Sequence, residues 1–258
     1  MSPKIHPSAV VSERAKLAQG VEIGPFSVIG PDVTIGEGTV VGSNVLIEGY
    51  TTLGSGNKVF HGAAIGSEPQ DLKYSGEKSH VRIGSNNTIR EYVTINLAAG
   101  ENESTVVGDD CLLMAYVHLA HNCVLGSNVI LANAVNLAGH VTIGDWAIIG
   151  GMVPVHQFVS IGAHSFVGGG SRVSQDIPPF FKFGGCPTKP SGLNTVGLER
   201  RGFTVEQRNL LKKAYRYIYR SGLNLTPALE RIRDELPQTP EIESLLEFIG
   251  RSQRGLTR

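Results

Sequence analysis

Histidines are the side chains of this sequence with the most evident chemical potential. The 258-residue chain has eight of them, and five lie between residues 118 and 164. Imidazole changes protonation near neutral pH, so a histidine is well suited to take a proton from a sugar hydroxyl. A metal site is a second interpretation, but no Asp, Glu or Cys accompanies these histidines at an evident ligand spacing. A third interpretation is an exposed polar surface.

A six-residue repeat supplies the elements that would position these histidines. Every sixth residue from Ile5 to Val173 is Ile, Leu or Val, except Asp71, Glu77 and Glu101. No helix keeps one residue in phase at a period of six, whereas a parallel β-helix does so if each hexapeptide forms one flat side of a coil. The pattern predicts a mainly β fold. It resembles the left-handed β-helix, which implies a triangular prism with three hexapeptides, or eighteen residues, per coil.

Two interruptions and a change of pattern define the domain organisation. The polar segments near 66–80 and 97–104 are expected to leave the prism as external loops. The register fades after Val173, where QDIPPFF is expected to leave the prism. We therefore expect a β-helix domain over 1–185 and a C-terminal helical domain over 190–258. The expected helix starts are the capping box of Thr204 with Gln207 and the pairs Thr226-Pro227 and Thr239-Pro240.

An eighteen-residue coil would bring distant residues together. One coil after His121 is Gly139 and the next is Gln157, while His140 and His156 are each one residue from these stacked positions. Neighbouring coils are about 4.8 Å apart, like paired strands. Three imidazoles are therefore predicted near one edge of the prism, within about 10 Å of each other. None occupies the inward position, so they should form an outward-facing polar site.

Composition narrows the range of functions. Lys and Arg together number 23, as do Asp and Glu, so the net charge is zero and a general nucleic-acid binder is disfavoured. No apolar run approaches the roughly 20 residues that span a bilayer, and the N-terminus has no secretory pattern. The three cysteines are far apart, which indicates neither a disulfide framework nor a zinc site. We expect a cytoplasmic protein without a membrane span.

Motifs along the whole chain resemble the UDP-N-acetylglucosamine O-acyltransferases. The segment from VHLAHNC to QDIPPF (117–180) resembles the core of that family. DLKYSGE (71–77) resembles its external loop, and GLERRGF, RYIYRSG and RGLTR resemble its helical tail. The resemblance implies transfer of a 3-hydroxyacyl group from acyl carrier protein to the glucosamine 3-hydroxyl of UDP-N-acetylglucosamine, the first step of lipid A biosynthesis. It also implies a homotrimer with sites between adjacent prisms, and no cofactor.

The resemblance also implies roles for individual residues. His121 matches the general base, and the backbone N–H of Gly139 matches the oxyanion donor. Asn122 stands beside the base where many members have Asp, so it can hold the imidazole N–H but lends no charge. The other matching positions bind substrate: Asp71 and Lys73 contact the acceptor sugar, His118, His140, His156 and Gln157 line the pocket, and Asn194, Arg200 and Arg201 lie near the nucleotide and its phosphates.

Two further departures from the family pattern affect binding positions. Asn96-Leu97 replaces a common His-Arg pair in the external-loop region, and Val196 stands where some members place Glu near the nucleotide. Gly169 matches a position at the far end of an acyl groove, where members carry either Gly or a bulky residue. Glycine there predicts a long acyl chain of the 3-hydroxymyristoyl kind. The alternative is that the run 168–170 merely permits a tight corner.

A basic stripe marks the first expected tail helix. Arg208, Lys212, Arg216 and Arg220 recur every four residues and so share one helix face. The stripe is either a solvated surface or a docking surface for acyl carrier protein, which is acidic.

Three other functions remain open from the sequence. A lipid A N-acyltransferase shares the prism and an Ala-His-Asn segment, but it carries an extra N-terminal domain for which a register running from Ile5 leaves no room. A γ-type carbonic anhydrase-like protein would hold about one zinc per chain. A non-catalytic β-helix scaffold would need neither the stacked histidines nor the DLKYSGE loop.

Overall fold

Short strands wind into three flat sheets in the computed structural model, which describes residues 2–258. Successive strands go to successive sheets, so each turn of the chain adds one strand to every face of a triangular prism. One sheet has 11 strands and the other two have eight each. The strands are β1 Lys4–Ile5, β2 Val10–Val11, β3 Lys16–Leu17, β4 Glu22–Ile23, β5 Val28–Ile29, β6 Thr34–Ile35, β7 Val40–Val41, β8 Leu46–Ile47, β9 Tyr50–Leu53, β10 Lys58–Val59, β11 Ala64–Ser67, β12 His80–Ile83, β13 Thr88–Ile89, β14 Thr94–Asn96, β15 Ser104–Val107, β16 Leu112–Leu113, β17 His118–Leu119, β18 Val124–Leu125, β19 Ile130–Leu131, β20 Asn136–Leu137, β21 Thr142–Ile143, β22 Ile148–Ile149, β23 Pro154–Val155, β24 Ser160–Ile161, β25 Phe166–Val167, β26 Phe181–Gly184 and β27 Lys189–Leu193.

Aliphatic residues of the six-residue register fill the interior of the prism. In a typical strand such as β17, the second residue, Leu119, is buried and the residue before it faces outward. Partner residues on adjacent coils are 18 positions apart, as Lys4 and Glu22 are. Stacking of these side chains removes a continuous apolar column from water, which is the main favourable term for the prism. The predicted parallel β-helix is confirmed.

The chain turns its corners at residues with a left-handed backbone. Each of these residues lies three positions after an inward aliphatic one. Several are asparagines, such as Asn44 and Asn122 with φ of 54° and 60°, because Asn adopts this conformation more readily than most residues. His140 and Phe158 also adopt it, with φ of 61° and 64°. Asn122, His140 and Phe158 therefore lie above one another at one corner.

Two longer segments without strands interrupt the regular coils of the prism. The first external loop, residues 68–79, joins β11 to β12, and the second, residues 97–103, joins β14 to β15. Paired residues are 30 positions apart across the first loop and 24 apart across the second, instead of 18. Both differences from 18 are multiples of six, so the hexapeptide phase survives each loop.

The last coil of the prism differs from the prediction. QDIPPFF does not leave the prism, because Ile177 bridges Ile161 and Phe183 pairs with Val167. These partners are 16 positions apart. Because 16 is not a multiple of six, the six-residue pattern did not show this coil, although the chain forms it. β27 then pairs antiparallel with β26 and lies inside the segment that was expected to be helical.

Four helices complete the chain. They are α1 Thr195–Arg200, α2 Val205–Tyr219, α3 Leu225–Glu235 and α4 Pro240–Arg251. The predicted capping box of Thr204 with Gln207 starts α2, and α4 begins after Thr239 as predicted. α3 begins slightly earlier than Thr226, directly after Asn224. α1 was not predicted, because it has only six residues, too few for an apolar period to show in the sequence.

Aromatic residues attach the helices to the end of the prism. The Phe181 ring lies 5.2 Å from that of Tyr215 on α2, and the Phe183 ring lies 6.0 Å from that of Tyr219. Both phenylalanines are buried, and the prism interior continues into the helical core as one apolar cluster. Within residues 2–258, the helices are too short or too polar to cross a membrane.

Candidate active site

His121 lies at the prism corner between β17 and β18, with its ring against the next coil. A Cβ atom on Gly139 would stand 2.5 Å from Cε1 and Nε2 of His121, so any larger residue at 139 would displace the imidazole. The His140 ring meets the His121 ring edge-on at 5.2 Å, and Phe158 stacks on His140 at 4.6 Å. The corner therefore brings His121, Gly139 and His140 together.

The side chain of Asn122 determines which nitrogen of His121 carries the proton. Its Oδ1 accepts a hydrogen bond from the Ala99 N–H at 3.0 Å, and its Nδ2 donates to the Ala99 carbonyl at 3.2 Å. Backbone partners thus fix the orientation of the amide. The same Oδ1 lies 2.8 Å from His121 Nδ1, and an amide oxygen can only accept. Nδ1 must therefore donate its proton, which leaves a lone pair on Nε2.

The free nitrogen of His121 faces the first external loop. Oδ2 of Asp71 lies 3.9 Å from His121 Nε2, which is too far for a direct hydrogen bond. Oδ1 of Asp71 accepts from the Lys73 backbone N–H at 3.0 Å, and the Lys73 side chain is exposed. A sugar with two neighbouring hydroxyls could donate one hydrogen bond to Nε2 and the other to the Asp71 carboxylate.

Two other histidines near this corner are held in the neutral form. Burial lowers the pKa of His118, whose Nδ1 lies 2.7 Å from the hydroxyl of Thr94. Burial also lowers the pKa of His140, with a further contribution from His121 and an opposing one from nearby carboxylates. Neutral imidazoles can both donate and accept hydrogen bonds, which suits a pocket for a sugar. Across residues 2–258, His, Cys, Asp and Glu side chains do not cluster in threes that could hold a metal ion.

Carboxylates join the two external loops to each other and to the corner. Glu77 on the first loop accepts hydrogen bonds from the backbone N–H of Ser75 and of Gly100 at 2.9 and 3.1 Å. These backbone bonds, chiefly that from Ser75, lower the pKa of Glu77. Glu103 on the second loop accepts from Nδ2 of Asn122. Sequence reasoning missed Glu103, since nothing in the six-residue pattern shows how an external loop folds.

The residues expected near a nucleotide lie at a different corner of the same chain. Asn194 is buried, and its Nδ2 donates to the His164 carbonyl at 2.9 Å. The guanidinium of Arg201 lies over the ring of Trp146, 5.1 Å from its centroid, while Arg200 is exposed. Trp146 belongs to the corner between β21 and β22, not to the corner of His121. One chain does not bring these two groups of residues together.

His164 is enclosed by aromatic rings at this second corner. Its ring is stacked between Trp146 at 6.3 Å and Phe180 at 5.8 Å. Burial, followed by the charge of Arg201, lowers the pKa of His164 to about 4, against an opposing contribution from Asp145. His164 is therefore neutral at physiological pH.

His156 and Gln157 are exposed one coil above Gly139, but His156 is outside the ring stack. Phe158 is the ring that stacks on His140, because it holds the corner position one coil above. Nη2 of Arg254 lies 3.1 Å from His156 Nδ1. Buried Asp176 fixes the tail that carries Arg254, accepting from the Ser252 hydroxyl at 2.6 Å. The sequence pattern missed Arg254 because 98 positions separate it from His156.

The positions that depart from the family pattern have local roles in the structure. Asn96 is buried, and its Nδ2 donates to the Glu68 carbonyl at 2.9 Å, which anchors the first external loop. Leu97 is buried as well, whereas Val196 is exposed. Gly169 lies exposed at the third corner, where a Cβ would stand 3.2 Å from the carbonyl oxygen of Gly151.

Comparison with known proteins agrees with the fold and with the motifs. Residues 14–49 and 104–139 match the family model of bacterial transferase hexapeptides, and residues 176–257 match that of the second domain of UDP-N-acetylglucosamine O-acyltransferases. The acyl-(acyl-carrier-protein)–UDP-N-acetylglucosamine O-acyltransferase of Thermodesulfovibrio yellowstonii is 50% identical over 256 residues, which is 99% of each chain. The enzyme of the same name from Chlorobaculum tepidum is 59% identical over 247 residues, or 95% of this chain and 94% of its own.

A solved structure shows the same similarity in three dimensions. The UDP-N-acetylglucosamine acyltransferase from Bacteroides fragilis superposes with a TM-score of 0.96 at 43% identity, covering 98% of this chain and 99% of its own. The prism is accordingly a left-handed parallel β-helix, with the handedness that the resemblance implied. Full-length identity of this size, together with the matching tail and repeats, shows that the chain belongs to the family of UDP-N-acetylglucosamine O-acyltransferases.

Proposed function

We propose that the chain transfers a 3-hydroxyacyl group from acyl carrier protein to the 3-hydroxyl of the glucosamine ring of UDP-N-acetylglucosamine, the first step of lipid A biosynthesis. The observation that carries the proposal is the free Nε2 of His121, held in place by Asn122 and Gly139 and facing Asp71 across 3.9 Å. The relatives at 50% and 59% identity bear the name of this activity.

The reaction needs only proton transfer and stabilisation of an oxyanion. Nε2 of His121 takes the proton of the sugar hydroxyl while the hydroxyl oxygen attacks the thioester carbonyl. A carbon–oxygen bond forms, the carbon–sulfur bond breaks, and the proton passes from Nε2 to the departing thiolate. The backbone N–H of Gly139 donates to no backbone acceptor among residues 2–258 and is free to stabilise the oxyanion.

The substrate-binding roles that the family resemblance implies are part of the proposal. Asp71 and Lys73 on the first external loop hold the acceptor sugar, and His118, His140, His156 and Gln157 line the pocket. Asn194, Arg200 and Arg201 hold the nucleotide and its phosphates from the second corner. Gly169 leaves the far end of the acyl groove open, so the preferred donor is a long 3-hydroxyacyl chain.

A homotrimer is part of the proposal, because one chain keeps the base and the nucleotide-binding residues at different corners. A neighbouring prism would supply the second group. Apolar side chains exposed on the single chain support such contacts, since Leu72 on the first external loop and Met152 and Tyr116 at a corner are 106%, 72% and 60% exposed. A cytoplasmic location is proposed as well, and the three cysteines are free thiols, as is typical of a reducing compartment.

The test is to incubate the protein with UDP-N-acetylglucosamine and acyl carrier proteins loaded with 3-hydroxyacyl chains of several lengths. Mass spectrometry should find an ester at the 3-position of the glucosamine and release of free acyl carrier protein. His121→Ala should lower turnover by about a hundredfold or more without unfolding the protein. Acylation of an amino sugar instead of the hydroxyl, or no acyl transfer at all, would contradict the proposal.

A further inference from the structure

Glu103 is a carboxylate that is linked to Nδ1 of His121 through the side chain of Asn122. Its carboxylate accepts a hydrogen bond from Nδ2 of Asn122, and Oδ1 of Asn122 accepts from Nδ1 of His121. The three side chains thus form a continuous chain of hydrogen bonds that ends in a negative charge. We infer that Glu103 is a positioning residue for His121 and stabilises, through the Asn122 amide, the positive charge that the imidazole acquires during transfer. This inference rests on the proposed function of His121 as the base.

The direction of these hydrogen bonds is fixed, because the backbone of Ala99 holds the Asn122 amide in one orientation. The Asn122 amide cannot be reversed without losing both of its bonds to Ala99, at 3.0 and 3.2 Å. Nδ2 therefore always points to Glu103, and Oδ1 always points to His121. A carboxylate that draws on the amide N–H makes the amide oxygen more negative, because linked hydrogen bonds polarise one another. The oxygen then holds the imidazolium form more strongly than a neutral amide alone would.

The local backbone is built around Glu103. A Cβ atom on Gly100 would stand 2.9 Å from the Glu103 carboxyl carbon, and Gly100 has φ of +109°. Glycine is thus needed there both for the left-handed backbone and for the room that Glu103 takes. Buried Thr105 accepts from the Asn122 backbone N–H at 2.9 Å and fixes the other side of the corner. The second external loop is therefore closed onto Asn122 with Glu103 facing it.

Other charged groups near His121 have different positions. Asp71 faces Nε2, the nitrogen that exchanges the proton, at 3.9 Å. His140 lies beside the ring, and its pKa is lowered chiefly by burial, against opposing contributions from Glu103 and Asp71. Glu103 is the group on the Nδ1 side, and in this chain it supplies the charge that an Asp at position 122 would bring directly. Because Glu103 is exposed on the single chain, water weakens its effect, and a moderate contribution is expected.

The experiment separates charge from hydrogen bonding. Glu103→Gln keeps an oxygen that can accept from Asn122 and removes only the charge. We expect kcat to fall about tenfold, with KM for UDP-N-acetylglucosamine and for the acyl donor within about twofold of wild type. Glu101→Gln is the matched control, because Glu101 lies on the same loop but accepts only from the Lys78 backbone N–H, at 3.1 Å. It should leave kcat unchanged.

Moving the negative charge from position 103 to position 122 gives a second test. Asn122→Asp alone places two carboxylates against each other and should lower kcat more than Glu103→Gln does. Combined with Glu103→Gln, the Asp accepts from both His121 and the new amide, so the double variant should be faster than Asn122→Asp by about tenfold. Nitrogen NMR of the His121 ring gives a readout without turnover. Loss of the Glu103 charge should lower the pH at which the ring takes up its second proton.

Each result decides a separate question. Full kcat in Glu103→Gln, with an unchanged NMR titration of His121, would mean that Glu103 only fastens the loop, and the inference would be wrong. No gain in the double variant over Asn122→Asp would also count against it. A wild-type protein without acyl transfer would refute the proposed function instead, and the NMR titration would still decide whether the charge of Glu103 reaches His121.

Discussion

Glycine at position 139 is a packing requirement of the imidazole. Its backbone is in an ordinary conformation, and the contact of 2.5 Å to Cε1 and Nε2 of His121 is what a side chain would create. The same glycine offers its N–H to the reacting carbonyl in the proposed mechanism. Base and oxyanion donor therefore depend on one small residue.

Replacing Gly139 by Ala should lower activity without lowering the stability of the fold. The added methyl group would push the His121 ring out of place, so kcat should fall by about a hundredfold, while Tm changes little because position 139 has no left-handed backbone. Steady-state kinetics and thermal melting measure the two effects. Gly250→Ala, in a helix with nothing near the new Cβ, is the control and should remain fully active. A Gly139→Ala enzyme with normal kcat would show that the ring is not held against this glycine.

The half-buried His164 gives the fold a dependence on pH. Its folded pKa of about 4 lies below the ordinary histidine value of 6.5, so the unfolded chain binds more protons between these pH values. Stability should therefore fall as pH decreases from about 6.5 towards 4.

His164→Phe should reduce this loss of stability. Phenylalanine already occupies left-handed corner positions at Phe26 and Phe158, with φ of 58° and 64°, so the backbone at 164 can accept it. Between pH 7 and pH 5 the variant should lose less stability than wild type by on the order of 1 kcal/mol, or about 2–4 °C in Tm. Melting curves at both pH values measure it. An equal fall in both proteins would show that other groups cause the pH dependence.

Single residues of the site could be predicted only where the repeat fixes their spacing. The 18-residue coil placed His121, Gly139 and His140 at one corner from the sequence alone. It could not place Glu103, which depends on the fold of an external loop, or Arg254, which reaches the site from the chain's other end. The repeat also did not show that Phe158 stacks on His140, because the corner position decides which side chains stack and not the residue type.

The strands of the prism were predictable because almost every sixth residue is the aliphatic one that points inward. The two external loops keep the phase of the six-residue register, since they lengthen the distance between paired residues by multiples of six. The last coil was lost when the separation of partners fell from 18 to 16. In the tail, the capping box at Thr204 and the pair Thr239-Pro240 predicted the starts of α2 and α4, whereas α1 is only six residues long.

Helix α2 carries the basic stripe, for which the sequence left two interpretations, a solvated surface or a docking surface for acyl carrier protein. The structure pairs Arg208 with Glu199 at 3.2 Å and leaves Lys212, Arg216 and Arg220 exposed. The unpaired part of the stripe is therefore its C-terminal half.

Reversing the charge at Arg216 and Arg220 should weaken docking of the donor. KM for acyl carrier protein should rise by about tenfold and lose most of its salt dependence, while KM for UDP-N-acetylglucosamine stays the same. Kinetics at several salt concentrations measure both. Arg251→Glu reverses an exposed charge on α4 and is the control. An unaltered KM for the donor would leave the stripe as a solvated helix face.

The third corner of the prism should set the acyl length. Gly169→Met would fill the open end of the proposed groove, and each CH₂ group that no longer finds a buried place costs about 0.8 kcal/mol. The variant should favour short donors over long ones, measured as the ratio of kcat/KM for the two. A similar loss on all donors would show that Gly169 serves only the backbone of the corner.

At the scale of the whole molecule, the proposed homotrimer would build each site from two chains, because His121 and Arg201 lie at different corners of one chain. His121→Ala and Arg201→Ala should each be nearly inactive alone. Co-expression of the two variants should restore about a quarter of wild-type activity, because random assembly of a cyclic trimer gives that fraction of sites both intact residues. Activity of purified mixed trimers against the two parents measures it. A mixture no more active than its parents would show that each chain builds its site alone.

Because the two groups of residues lie at different corners, activity would depend on the protein concentration at which the chains assemble. A single prism would carry a base with no nucleotide partner and a nucleotide partner with no base. Dilution below the dissociation constant of the assembly would then remove activity more steeply than it removes protein, and substrate that bridges two chains would oppose the dissociation. The number of working sites would be a property of concentration as well as of sequence.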